Sequence, residues 1–291
     1  MKFTIKSIFL FGFSVGYMSK MKAIKTFRDL LSFLTIIPLG RTEDFVVTSA
    51  EFMFLFPLIG AFIGLLGAAY FLACGFLLSY LLAFINSIIH IPTEFLLKLA
   101  SAAMTLAFLL VLTGLQHFDG LVDLGNAIGF ANVEKRSAAA HKWTVTHKGA
   151  FLAIFVEFLA VLGLFFLNVD FFAFKVIIAA EVVAKLAMVT IACVGKPSHK
   201  GLGSRFLENA KRKRNVAAYL LAILIVCPLL GFTSFGIILS FGIILVSFLL
   251  AIFMERIAKS VFGGVSGDVI GATNEVVRAA TLVFVAGVLV L

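Results

Sequence analysis

The stretch FMFLFPLIGAFIGLLGAAYFLACGFLLSYLLAFINSIIHIPT, residues 52–93, lies between Glu51 and Glu94 and holds no charged side chain. About 20 apolar residues cross roughly 30 Å of hydrocarbon. This run is therefore too long for one upright span and too apolar for the surface of a soluble domain. It reads as one long tilted helix or as two helices. The rest of the chain agrees with a membrane setting. Hydrophobic residues make up 62% of the 291, where a soluble domain carries about 45–50%. The expected fold is all-α, a polytopic transmembrane bundle.

Further apolar segments follow at about 96–115, 149–167, 172–194, 216–232, 234–254 and 275–291. Orientation follows from the placement of Lys and Arg. The segments 20–41, 116–148, 195–215 and 255–274 are basic, and the connectors near 86–94, 168–171 and 231–234 hold no Lys or Arg. All basic loops share one face only if residues 52–93 cross once, with the excess length tilted, re-entrant or outside. The count is about seven spans, the first starting inside. The expected setting is the cell membrane, multi-pass, with the basic face cytoplasmic. The formal charge of +9 then marks membrane orientation and phosphate-bearing ligands. It does not indicate nucleic acid.

Before the first span, Ile24 to Pro38 forms an amphipathic or re-entrant helix, with Leu30, Leu31, Leu34 and Ile37 on one side and Lys25, Arg28 and Asp29 largely elsewhere. Residues 1–20 read as a mis-assigned start before Met21 or a short anchor, and 21–291 as a single integral membrane domain. Cys74, Cys193 and Cys227 each lie in apolar sequence with no CxxC spacing. They are read as packing residues, without a disulfide or a zinc set.

The chemistry concentrates where hydrocarbon gives way to water. In LTGLQHFDGLVDLGNAIG, residues 112–129, helical rotation places Asp119, Asp123 and Asn126 within about a 60° arc. Hard oxygen ligands in one stripe suit Mg2+, which takes one or two carboxylates and completes its shell with water and substrate phosphate. A second acidic pair, Asp268 and Glu275, lies seven residues apart on one helical face, among glycines at 263, 267 and 271. In GKPSHKGLGSRFLENAKRKR, residues 195–214, glycines at 201 and 203 offer backbone N–H groups beside His199, Lys200 and Arg205, a setting suited to phosphate. Lys142, His147 and Lys148 add positive charge. Glu181 precedes Lys185 by one turn, a spacing at which the two neutralise each other. Glu157 stands alone in its span, and His117 reads as an interfacial side chain.

Five stretches resemble the cobalamin synthase family, in order and spacing. FRDLLSFLTIIPLG is similar to its opening and FPLIGAFIGLLGA to its first glycine-rich span. HFDGLVDLGNAIG resembles its aspartate motif, and KGLGSRF and GGVSGDVIGATNE resemble its later loops. Asn126 and Lys142 stand where the family usually has acids. The resemblance runs from about Met21 to the end. It implies that adenosylcobinamide-GDP is joined to alpha-ribazole or its 5'-phosphate with release of GMP and with Mg2+ required. On that reading Asp119 and Asp123 hold the metal with Asn126 beside them. One of those acids or Asp268 takes a proton, and His199, Lys200, Arg205, Lys148 and Glu275 contact substrate. Homo-oligomerisation is left open. Two rival readings are a CDP-alcohol phosphatidyltransferase and an ion-coupled transporter. Residues 124–148 lack the further aspartates and the Ala-Arg pair of the first, and the chain shows no inverted repeat for the second.

Overall fold

The computed structural model describes residues 22–40, 42–128, 130, 133–140 and 144–290, and in it the long apolar runs are helices. The solvent dictates this: hydrocarbon offers no partner to backbone N–H and C=O, so a spanning segment closes its own hydrogen bonds. In chain order the helices are α1 (22–34), α2 (Phe45–Glu51), α3 (Phe56–Ile88), α4 (Thr93–Leu112), α5 (Gln116–Ala127) and α6 (Val133–Ala140). They continue with α7 (His147–Phe165), α8 (Phe171–Val194), α9 (Leu202–Ala210), α10 (Ala217–Leu230), α11 (Ser234–Phe262) and α12 (Gly267–Val290). Seven of them, α3, α4, α7, α8, α10, α11 and α12, are long and apolar enough to cross a membrane. Among the described residues there is no β-strand, only one isolated bridge between Pro197 and Val265. The chain is a multi-pass membrane protein. The expected anchor or mis-assigned start at 1–20, and Lys142, lie outside the described residues.

α8 is the central strut, buried without a break from Val176 to Ala192, with α3, α10, α11 and α12 packed around it. Outward faces carry exposed Phe151, Ile154, Leu224, Ile238 and Phe253. In water such a surface drives association; here it is the lipid face. Residues 56–88 form one continuous helix of 33 residues, about 50 Å at 1.5 Å per residue, which answers the question raised by residues 52–93. Gly75 of α3 already meets Val169 in the connector between α7 and α8. Past that level Phe76, Leu77, Tyr80, Phe84 and Ile88 stand exposed.

Two expectations are corrected. The polar segment 255–274 is mostly helix. α11 runs on to Phe262, where Gly263 at φ +73° closes it, and the last span opens at Gly267 rather than 275. Of the glycines at 263, 267 and 271, Gly271 lets helices approach, since a Cβ there would lie 3.2 Å from His117 Cα. In α1, Leu30, Leu31 and Leu34 are buried as their spacing demands, but Asp29 is fully buried too. It accepts a 2.9 Å hydrogen bond from Thr42 Oγ1. The segment after α1 folds back over its polar side, so that side is covered as well.

Candidate active site

α4 and α5 meet in a tight left-handed turn. Gly114 and Leu115 both have positive φ, +67° and +59°. The N–H of Leu115 bonds to Leu110 O and that of Gly114 to Val111 O, both at 2.9 Å. These two bonds are the Schellman pattern, which satisfies the last carbonyls of α4 and lets the chain turn sharply into α5. Gly120 of α5 then rests on the backbone of α12 at Asp268 and Ala272. A Cβ at position 120 would collide with Asp268 O and come within 3.1 Å of Ala272 N. Further along, a Cβ at Gly125 would lie 2.7 Å from Gly149 Cα at the start of α7. α5 is thus clamped between the first turns of α12 and α7.

On the clamped helix Asp119 is exposed and Asp123 half-buried, one turn apart on the face that rotation assigns them. Asp268, half-buried in the first turn of α12, receives a 3.4 Å hydrogen bond from Ser266 Oγ. Two loops join beside it. Val265 N donates to Lys196 O (2.7 Å) and Ser198 N to Val265 O (3.1 Å), while Gly203 at the start of α9 abuts Ser266 and Gly267. The HKGLGSR segment and the GGVSGD segment, far apart in sequence, therefore form one rim. His199, Lys200 and Arg205 stand exposed on it, and Lys148 is exposed on the first turn of α7. His199 Nδ1 lies 2.9 Å from Ser198 Oγ.

Two residues of the expected set are placed differently. Asn126 is buried. Its Oδ1 accepts from Thr146 N (2.9 Å) and Thr146 Oγ1 (2.8 Å), and its Nδ2 donates to Thr144 O (3.1 Å). Both oxygen lone pairs are engaged in holding the entry to α7, so Asn126 presents no free oxygen to a metal. Glu275 is buried inside the bundle, paired with Arg278, accepting from Asn274 Nδ2 at 3.1 Å and lying 3.5 Å from His117 Nδ1. It lies inside the bundle, off the rim.

Glu275 belongs to a network that the sequence shows only in fragments. Arg278 Nε reaches Glu181 Oε1 at 2.5 Å, and Lys185 Nζ reaches Asn274 Oδ1 at 2.7 Å and Glu181 Oε2 at 3.4 Å. The Glu181–Lys185 spacing does bring those two together, but both also bind α12. Arg278 belonged to no motif, and Asn274 lay in the GGVSGDVIGATNE stretch without a role of its own; the available signal was an Arg and a Lys inside otherwise apolar spans. His117, expected at an interface, is buried. Burial, with Lys185 nearby, holds its pKa below the usual histidine value, against the opposing pull of Glu275.

A pocket of about 230 Å³ opens between these elements. Its apolar wall comes from Phe33 and Leu34 of α1, Phe56 of α3, Met188 of α8 and Leu202 and Phe206 of α9. Its polar side chains, Gln116, His117 and Asp268, come from α5 and α12. Nothing in the residue pattern announces the aromatic wall, because with 34 phenylalanines a ring at any position is uninformative.

Among the described residues no three His, Cys, Asp or Glu side chains converge as a metal set. Mg2+ does not require three, since one or two carboxylates with water and phosphate suffice. Asp119 and Asp123 fit that donor chemistry: two carboxylates, one helical face, one of them exposed beside the rim.

The family model for cobalamin-5-phosphate synthase matches residues 26–286. An adenosylcobinamide-GDP ribazoletransferase of Methanocella arvoryzae is 30% identical over 269 residues, covering 88% of this chain and 92% of the relative. Proteins of the same name are similar in Methanosarcina barkeri (30% identical; 89% and 91% covered) and Halorubrum lacusprofundi (31%; 88% and 94%). No solved structure matches the chain significantly.

Proposed function

This chain belongs to the cobalamin-5-phosphate synthase family, and from that membership we propose that it is an adenosylcobinamide-GDP ribazoletransferase. It joins adenosylcobinamide-GDP to alpha-ribazole or its 5'-phosphate, releases GMP and completes cobalamin. The observation that carries the reading beyond the family match is that α5, which bears Asp119 and Asp123, packs through Gly120 on the α12 backbone at Asp268, beside the 196–205 rim.

The chemistry follows from the bonds. The ribose hydroxyl oxygen forms a bond to the phosphorus that carries the cobinamide. The bond from that phosphorus to the bridging oxygen breaks, and GMP leaves with that oxygen on its own phosphate. Catalysis of such a transfer is positioning and charge neutralisation. Asp119 and Asp123 would hold a Mg2+ ion, which supplies neutralisation of the diphosphate charge. Asp268 stands ready to accept the hydroxyl proton. Lys200 and Arg205, with the backbone N–H groups at the start of α9, hold phosphate oxygens. Lys148, at the start of α7, adds positive charge on the α5 side. The basic loops support a site that faces the cytoplasm at the cell membrane.

The test is GMP release by the purified protein from adenosylcobinamide-GDP plus alpha-ribazole, with and without Mg2+. The expected result is metal-dependent turnover in the wild type, and a loss of at least about 10²-fold in Asp119→Ala and Asp123→Ala, the scale of one lost electrostatic stabiliser. Full activity in both variants overturns the assignment of the acids. Metal-independent turnover removes Mg2+ from the scheme.

A further inference from the structure

The aromatic wall of the pocket beside Asp268 has no part in the phosphate chemistry described above. Phe33 and Phe206 stack at 5.1 Å between ring centroids with 24° between planes, and Phe56 stands 6.1 Å from Phe206 and 6.4 Å from Phe33. We propose that this pocket seats the aromatic base of the acceptor nucleoside, and so sets acceptor specificity. The proposal rests on the transferase reading and names the place where its second substrate lies.

Three features point to that occupant. The first is size. Sites for drug-sized ligands run to about 300–1,000 Å³, so a pocket of about 230 Å³ takes one flat ring system and neither a whole nucleotide nor a corrinoid. The second is wall chemistry. Guanine, the other base in the reaction, presents donors and acceptors around its edge, whereas the polar lining side chains, Gln116, His117 and Asp268, come from α5 and α12 alone and the phenylalanine, leucine and methionine wall meets none of them; buried unmet polar groups are costly. The methylated benzimidazole of alpha-ribazole has no N–H donor and two methyl groups, and it matches an aromatic and aliphatic wall. Stacking on such rings binds flat bases without hydrogen bonds. The third is position. Asp268 and Gly267 line the pocket, so a base seated there keeps its ribose next to the carboxylate proposed to take the hydroxyl proton.

The probe is 5,6-dimethylbenzimidazole, the free base. Added to the assay of the full-length protein in detergent, it is expected to inhibit competitively against alpha-ribazole and not against adenosylcobinamide-GDP. Phe206→Leu and Phe33→Leu, which keep an apolar filling but lose the ring, should each raise the KM for alpha-ribazole about 10-fold, the equivalent of ~1.4 kcal/mol. The KM for adenosylcobinamide-GDP should stay unchanged, which also shows that the variants are folded. Equilibrium dialysis of the labelled base needs no turnover and separates this proposal from the activity itself: the wild type retains the base and Phe206→Leu retains about a tenth as much. Competition against the nucleotide donor, a raised donor KM in either variant, an unchanged acceptor KM in both, or no retention of the base by the wild type each overturns the proposal.

Discussion

Gly120→Ala adds one methyl group where two helices touch through bare backbone. The new Cβ would lie 3.0 Å from the carbonyl carbon of Asp268 and 3.1 Å from the amide nitrogen of Ala272, and would overlap the Asp268 carbonyl oxygen. Comfortable contact between heavy atoms is at about 3.5–4.0 Å. All three neighbours are backbone of one helix, so no rotamer change relieves the clash, and α5 and α12 must part by roughly 0.5–1 Å. Overpacking of this kind costs about 1–3 kcal/mol of stability. The effect on rate is larger in proportion. Asp119 is the next residue on α5, and Asp268 is the group struck on α12. A displacement of about 1 Å between catalytic groups lowers rates by about 10²-fold. GMP release by Gly120→Ala in detergent should therefore fall about 10²-fold while the circular dichroism of the helices is retained. Gly287→Ala is the control, because a Cβ there meets nothing within 4 Å; it should leave the rate unchanged. A folded Gly120→Ala protein with the wild-type rate would refute the claim that this contact sets the spacing of the acids.

Two further predictions concern the interior. Arg278→Met removes the cation between Glu181 and Glu275 and should lower stability by about 3–5 kcal/mol, read as thermal unfolding in detergent; Glu181→Gln in the same chain should restore part of the loss, and a single variant as stable as the wild type contradicts the pairing. His117, held neutral chiefly by burial, has a folded-state pKa below that of the unfolded chain. Its contribution to stability is complete above about pH 6.5, the ordinary histidine value, and is lost as pH falls from there through the folded-state value, because the unfolded chain takes up the proton first. Melting temperature measured from pH 7.5 to pH 5 should fall less steeply in His117→Gln than in the wild type; parallel slopes count against this account.

The fold was legible because its driving force is written residue by residue. Spans of apolar side chains and basic loops yield a seven-span bundle without knowledge of a single contact. The candidate site was legible in part. Asp119 and Asp123 share a face because helical rotation demands it, and no tertiary information enters. Asn126 obeys the same rotation yet faces Thr144 and Thr146, since the end of α5 is clamped against α7 and its last turn is inside. Rotation assigns a face; only packing decides what that face meets. Asp29 fails for the same reason, its polar side being covered by the chain that follows α1. The approach of the 196–198 and 264–266 segments depends on how α8 and α12 end side by side, a long-range fact with no local signature.

The buried ions have a geometric consequence for the rim. Charges in a bundle core are weak evidence for stability, since apolar residues of similar volume often serve as well. What they supply here is rotation. The apolar contacts of α12 come from valine, alanine, leucine and isoleucine around much of its circumference, and such a surface sets its angle only loosely. Arg278 bound to Glu181, and Asn274 bound to Lys185, join α12 to α8 at one angle. Glu275 lies 3.5 Å from His117 of α5. Asp268 precedes Glu275 by seven residues, almost two full turns of an α-helix, so the two share a face. The angle that brings Glu275 to His117 also brings Asp268 to Gly120, one residue from Asp119. Ion pairs deep in the bundle thus aim a carboxylate at its edge, and Arg278→Met should lower the rate of GMP release even at temperatures where the helices remain folded.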